Sequence, residues 1–267
     1  MSLTSGPIVE PILRVTTNDG VTTLNLNRPA KFNALSDDLL SALQDALGAI
    51  AADPAARCVV ISGAGKAFCA GHDLAEIRAR HAIDHHRDLF ARCSNVMQSI
   101  VNLPVPVIAK VHGMATAAGC QLVASCDLAI AAHSASFAVS GVNLGLFCST
   151  PAVALSRSIA PKNAFDMLVT GGFISANKAV EYGLINHAVP DSELDAAIDA
   201  KLAAILSKDP AAIRYGKALF QKQRQLPLPD AYALASEIMA QNMMEPDTIE
   251  AIDAFLQKRY ADLSFKK

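Results

Sequence analysis

The spacing of apolar residues shifts several times along this chain, and each shift predicts an element. Residues 12–15 and 21–26 are rich in β-branched side chains and are separated by Asn18-Asp19-Gly20, which predicts a hairpin. Ser36 then precedes apolar residues at Leu39, Leu40, Leu43, Ala46, Leu47 and Ile50, the spacing of a serine-capped helix over 37–51. Short apolar runs at 58–61, 105–111 and 127–132 read as buried strands, the second fixed at its start by Pro104 and Pro106. Strands alternating with helices imply βαβ crossovers and a mostly parallel sheet. After about Leu194 the strand signals fade, and amphipathic helices interrupted by Pro210, Pro227, Pro229 and Pro246 take over. The expected organisation is an α/β core over 1–194 followed by a helical region over 195–267. No heptads, solenoid repeats or low-complexity tracts occur.

Composition narrows the possible partners. The 267 residues are 52% hydrophobic and 18% charged with a net charge of -2, which fits a globular protein and gives no basic face for nucleic acid. The apolar stretch 105–132 is interrupted by Lys110, His112, Gln121 and Asp127, so no membrane span is expected. The start of the chain shows neither a basic segment nor an apolar one, and it reads as lacking a leader peptide. None of the six cysteines forms a C-x-x-C pair, which suggests reduced, buried thiols in the cytoplasm.

Several motifs are excluded. Gly63-Ala64-Gly65-Lys66 lacks the first glycine and the hydroxyl residue of a phosphate loop. No dinucleotide fingerprint and no nucleophile elbow occur. His81, His85 and His86, with Asp84, could place two imidazoles on one helical face, but zinc needs a further ligand, and no metal is expected.

Two glycine-marked loops carry the candidate chemistry. Residues 68–74, Phe-Cys-Ala-Gly-His-Asp-Leu, follow a strand, and Asp73 with Glu76 forms a capping box that starts a helix. Residues 112–121 also follow a strand and lead into a small-residue helix over 119–125. Each loop offers an N–H near a helix N-terminus, the arrangement an oxyanion hole requires, although any α/β fold has such connections.

The sequence resembles the enoyl-CoA hydratase/isomerase (crotonase) family over roughly 12–263. The matching stretches include Leu26-Asn27-Arg28-Pro29, Asn33-Ala34-Leu35, the 68–74 loop, Ala118-Gly119-Cys120-Gln121-Leu122, Val142-Asn143-Leu144-Gly145 and Phe255-Leu256-Gln257-Lys258-Arg259. The resemblance implies a ClpP-like spiral of ββα units with a C-terminal helical region that builds trimers and, from two trimers, hexamers. It implies an acyl-CoA substrate with no separate cofactor, in fatty-acid or acyl-CoA metabolism. The oxyanion donors would be the N–H groups of His72 and Ala118. The thioester and CoA would be bound by Lys31, Phe68, Ala70, His72, Asp73, Leu74, Ala118 and Gly119.

The sequence departs from the family's hydratases at their two catalytic glutamates, which handle the water and the α-proton. Gln121 and Gly141 stand at those positions. Glutamine can orient water but cannot accept a proton near neutral pH, and glycine can do neither. Hydration by the usual route is therefore doubtful, with the His72 side chain the first candidate to substitute. A lyase or isomerase of acyl-CoA thioesters, a malonyl-type decarboxylase that needs no base, and a non-catalytic acyl-CoA-binding protein are the readings to separate. The segment holding His81, His85 and His86 falls in the family's variable region over the acyl pocket.

Overall fold

The computed structural model describes residues 10–263. The stretch 1–9, which carries most of the leader reading, lies outside them.

The first hairpin pairs β1 (Leu13–Asn18) with β2 (Val21–Leu26) antiparallel, Asn18 opposite Val21. Its two turn residues, Asp19 and Gly20, have φ of 48° and 76°, as a type I′ turn requires. Ser36 accepts a hydrogen bond from the Leu39 N–H and opens α1 (Asp37–Ala52). The chain then winds through repeated strand–strand–helix turns. The first is β3 (Cys58–Gly63), β4 (Ala67–Cys69), α2 (Leu74–Ala79) and α3 (Ile83–Asn102). The second is β5 (Val107–Val111), β6 (Met114–Thr116) and α4 (Ala118–Ser125). The third is β7 (Leu128–Ala132), β8 (Ser136–Ala138), a short turn of 3-10 helix at Ser140–Leu144, α5 (Ser149–Ser158) and α6 (Pro161–Thr170). β9 (Ile174–Ser175), α7 (Ala176–Tyr182) and β10 (His187–Val189) complete the spiral.

Each turn places one strand in each of two sheets. The six-stranded sheet runs β1-β2-β3-β5-β7-β10, parallel beyond the hairpin. The four-stranded sheet runs β4-β6-β8-β9. Spacing alone suggests only the first, because the strands of the second are two or three residues long, too short to show a period. The resemblance supplies the second through its ββα unit.

The main core lies between the large sheet and the helices α1, α3 and α4. Leu24, Leu26, Leu39, Leu43, Ile61 and Ile100 are fully buried there, each contributing about 1.5–3 kcal/mol of transfer free energy. The opposite face of the sheet is covered by α8 (Leu194–Leu206), whose Leu194 and Ile198 pack on Cys58, Val60, Ile108 and Ile130. By packing, therefore, α8 belongs to the core, although it lies beyond the boundary read at 194.

The prolines of the C-terminal region begin helices: Pro210 opens α9 (Pro210–Gln223), Pro227 and Pro229 stand at the start of α10 (Leu228–Asn242), and Pro246 opens α11 (Pro246–Leu256). α9 is tied to the core by Lys217, which donates to the Asp127 carboxylate and to the carbonyls of Ile100 and Val105. Asp127 also accepts from the Val107 N–H, so it holds the helix-to-strand corner as its position suggests. α10 packs mainly on α9, and Tyr232, Met239, Met244, Phe255 and Leu256 are exposed.

Candidate active site

The second sheet brings the two glycine loops together. β4 and β6 are parallel neighbours, with Ala67 opposite Met114 and Cys69 opposite Ala115. Paired strands lie about 5 Å apart, so the loops leaving their C-terminal ends emerge side by side, and so do the helices that follow. Only glycine permits the contact. A Cβ on Gly119 would stand 2.1 Å from the Cys69 carbonyl oxygen, and one on Gly71 would stand 2.9 Å from the Ala117 Cβ and 3.1 Å from the Ala118 nitrogen. What approaches Gly119 is therefore a backbone.

The first donor is aimed by a single β-bridge between Leu35 and His72. The Leu35 N–H donates to the Gly71 carbonyl at 2.7 Å, and the Leu35 carbonyl accepts from the Asp73 N–H at 3.2 Å. In a parallel bridge the residue so flanked turns its own N–H the other way. The His72 N–H has no partner among the described residues. The second donor sits at the first position of α4, where helix N–H groups lack internal partners, and the Ala118 N–H is likewise free among the described residues. Its orientation is set by Ala117, which holds φ 50° and ψ -121°, a conformation normally left to glycine. Ala117 is kept there by donating to the Ala138 carbonyl at 3.0 Å. Neither the Leu35 bridge nor the Ala117 strain is marked by residue type; an alanine in a glycine conformation leaves no sequence signal.

The side chains named from sequence are placed as follows. Asp73 caps α2, accepting from the Ala75 and Glu76 N–H groups, and pairs with Arg28 at 3.0 Å. Only half of the expected capping box forms, because Glu76 instead accepts from the Asp37 N–H and caps α1. Ala70 donates to the Phe32 carbonyl, which holds the exposed Lys31 beside the loop. Leu74 is 55% exposed in the first turn of α2. The Phe68 side chain is fully buried in the core, so any part it takes at the site would fall to its backbone. Gly119 is likewise buried and covered by Cys69, so its part is to seat the loops.

The two positions where the resemblance places the hydratases' glutamates sit in different surroundings. Gln121 is 3% exposed, and its Oε1 is buried without a partner. It also edges a groove of about 1260 Å³ lined by α4, α5 and α9. Gly141 has no room for a side chain: a Cβ there would stand 2.5 Å from the Leu146 carbonyl oxygen and 2.7 Å from the Cys148 sulfur. The 141–148 loop occupies the space a side chain at 141 would need.

His72 is a poor base. Burial pushes its imidazole down to about 4, against the opposing influence of the Asp37 carboxylate and the Leu35 carbonyl. Neither of those groups reaches hydrogen-bond geometry, and both ring nitrogens are unpartnered. The ring packs edge-on against Phe90, with centroids 5.4 Å apart. His81, His85 and His86 cluster at the junction of α2 and α3, but no three ligand-type side chains among the described residues converge as a metal site would need.

Comparison with known proteins settles the family. The enoyl-CoA hydratase/isomerase family model matches residues 16–266. The chain belongs to the enoyl-CoA hydratase/isomerase family. It is 46% identical to the enoyl-CoA hydratase domain-containing protein 3, mitochondrial, of Rattus norvegicus, across 96% of this chain and 85% of that protein. It is 34% identical to a crotonyl-CoA hydratase of Syntrophomonas wolfei, across 91% of this chain and 94% of that one. A crystal structure of enoyl-CoA hydratase from Mycobacterium smegmatis superposes with a TM-score of 0.94 at 54% identity, covering 95% of this chain and 99% of the other. The expected α/β crotonase fold and its helical C-terminal region are thus established for this member of an acyl-CoA-related family. No helix among the described residues is long and apolar enough to cross a membrane.

Proposed function

We propose that this protein binds an acyl-CoA thioester with its carbonyl oxygen on the N–H groups of His72 and Ala118, and that it stabilises the thioester enolate there. The observation that carries this reading is the pair of unpartnered N–H groups on adjoining loops, one aimed by the Leu35 bridge and the other by the strained Ala117. Pre-aimed donors of this kind are worth about 3 kcal/mol each in a transition state. Lys31, Ala70, Asp73 and Leu74 line the approach, with Lys31 the cation for a CoA phosphate. The CoA arrives as part of the substrate, and no other cofactor enters the scheme.

Hydration by two carboxylates does not operate here. Gln121 can hold a water but cannot take its proton, Gly141 has no side chain, and the His72 ring is only weakly basic at neutral pH. An acyl-CoA lyase whose carbon–carbon cleavage itself leaves the enolate in the oxyanion hole fits these groups best, because an isomerase would need a group to take and return the α-proton. A malonyl-type decarboxylase would need a cation for the substrate carboxylate. Arg28 is engaged with Asp73, and Arg80 and Arg92 with Asp37, which leaves the exposed Arg78 of α2 as the arginine near the loops that such a carboxylate would have to use. The filled space at Gly141 favours a second reading, an acyl-CoA-binding protein without turnover.

The exposed apolar residues of α10 and α11 support assembly into trimers or a hexamer of two trimers, and unbridged cysteines suit the cytoplasm. Steady-state hydration of crotonoyl-CoA, with a glutamate-bearing hydratase as control, tests the scheme. Turnover at least about a hundredfold below the control is expected, since each lost acid–base group is worth about 10²-fold or more. Turnover near the control's rate would require another base and would overturn it.

A further inference from the structure

The space beside Gly141 is filled by a thiol. β8 is the parallel neighbour of β6, with Thr116 opposite Ala138, so the chain leaving β8 emerges beside the loop that carries Ala118. Two contacts fasten these exits together. The Ala117 N–H donates to the Ala138 carbonyl at 3.0 Å, and the Thr116 and Ser140 hydroxyls lie 2.9 Å apart. Gly141 follows directly. The chain then turns back, with the Leu146 N–H donating to the Gly141 carbonyl at 3.0 Å, and brings the Cys148 sulfur to 2.7 Å from where a Gly141 Cβ would stand. The sulfur faces the Gly141 N–H and acts electrostatically on the Cys120 thiol, so it lies between the β8 exit and α4.

Packing alone would make Cys148 a small apolar filler. Its surroundings point to a ligand instead. Gln121 is 3% exposed, and its Oε1 is buried without a partner. It lies three residues after Ala118 on α4, hence on the face that carries the free Ala118 N–H. It also lines one groove with Thr150, in the first turn of the helix that begins just after Cys148. The Cys148 N–H lacks a partner among the described residues, although the residue is 6% exposed. Buried donors and acceptors are normally paired, so unmet groups on both sides of one junction mark room for a ligand.

An enolate held on the His72 and Ala118 N–H groups after carbon–carbon cleavage must still take a hydrogen at its α-carbon. Gln121 carries no acidic hydrogen, and Gly141 has no side chain. The His72 ring turns toward Asp37 and the Leu35 carbonyl. The Thr116 and Ser140 hydroxyls bond each other and are weaker acids than a thiol. Cys120 is sealed in the core. Cys148 is what remains at this junction among the described residues. Burial pushes its thiol above the ordinary range, so the sulfur keeps its hydrogen at neutral pH.

We propose that the Cys148 thiol donates the proton to the α-carbon of the thioester enolate. The enolate electron pair forms the new C–H bond, the S–H bond breaks, the thioester carbonyl re-forms, and the thiolate regains a proton from water once product leaves. A thioester α-carbon is a far weaker acid than a thiol, so the transfer runs downhill. The inference rests on the oxyanion reading above and adds the group that completes it.

Bromoacetyl-CoA carries an electrophile at the α-carbon. At alkaline pH, where thiolate is available, it should alkylate Cys148 of the full protein at least about a hundredfold faster than bromoacetamide does, bromide leaving as the S–C bond forms. Butanoyl-CoA should protect, and peptide mass mapping locates the adduct. In heavy water the reverse of the donation should exchange one α-hydrogen of butanoyl-CoA, and Cys148→Ala should slow that exchange about a hundredfold. Three results would overturn the proposal and leave the oxyanion reading in place: no adduct on Cys148 while calorimetry shows butanoyl-CoA bound, no exchange in the wild type, or undiminished exchange in a folded Cys148→Ala protein. Failure of butanoyl-CoA to bind would remove both. Should Cys148→Ala fail to fold, Cys148→Ser, close in size and a weaker acid, carries the same expectation.

Discussion

The two halves of the candidate site have had different fates. In the proposed oxyanion half the function would be carried by backbone N–H groups, and the elements that aim them are in place: the Leu35 bridge, the strained Ala117 and the close seating of Gly71 and Gly119. In the proposed acid–base half the function would be carried by side chains, and the two positions that the resemblance assigns to it hold an amide, Gln121, and a glycine, Gly141, covered by Leu146 and Cys148. A backbone donor survives any substitution that keeps the fold, whereas a general acid disappears with one. On the proposed reading, thioester recognition and proton transfer are separable in this architecture.

The largest expected effect comes from breaking the proposed oxyanion half. Gly119→Ala drives a Cβ into the Cys69 carbonyl at 2.1 Å, and backbone cannot swing aside as a side chain can. A loss of about 3 kcal/mol in urea-melt stability is expected, at the upper end for overpacking, with acyl-CoA binding lost in parallel. Unchanged binding in a folded Gly119→Ala protein would detach the loops from thioester recognition.

The pH dependence of stability probes the same corner. The imidazole of His72 is held at about 4 by burial, against an ordinary value of 6.5. Below pH 6.5 the unfolded chain takes up a proton that the folded chain refuses. The stabilising contribution is therefore complete above about pH 6.5 and is lost as the pH falls toward 4. Its size is about 3 kcal/mol over that interval. His72→Phe should flatten this acid limb in denaturation curves taken from pH 7 to pH 4; an unaltered limb would show that the ring titrates normally.

The proposed acid–base half offers a repair. Gln121→Glu is isosteric and meets an unpartnered Oε1 site, so a gain of roughly 10²-fold in crotonoyl-CoA hydration is expected. Gly141→Glu should add nothing, because its Cβ would stand 2.5 Å from the Leu146 carbonyl oxygen, and the double variant should not exceed the single one. Further gain in the double variant would mean that the 141–148 loop reopens at little cost.

The smallest effect is a stabilisation. Ala117→Gly relieves the strain of a non-glycine residue at φ 50°, ψ -121°, and should add about 1 kcal/mol to chemical stability. The same substitution loosens the aim of the Ala118 N–H, so acyl-CoA affinity should fall as stability rises. Both moving together would remove the functional meaning of the strain.

Much of this was legible in the residues. Asp19-Gly20 made the hairpin, Ser36 the cap of α1, and the glycines at 71 and 119 the two loops, because turns, caps and close approaches each demand particular residue types at particular positions. The resemblance then carried the pairing of His72 with Ala118 and the expectation of glutamates at 121 and 141. Other features could not be read this way. The short strands of the second sheet have no period, the Phe68 side chain is core, and Glu76 left its own helix to cap α1.

By itself, then, the sequence determined the local elements and the family, and put Gln121 and Gly141 where the resemblance expects glutamates, since these depend on residue identity and near neighbours. Only the tertiary structure decided which N–H groups are free among the described residues, that Ala117 is strained, and that Gly141 has no room for a side chain. Those properties depend on what comes within a few ångströms in space, and the residues concerned lie tens of positions apart along the chain.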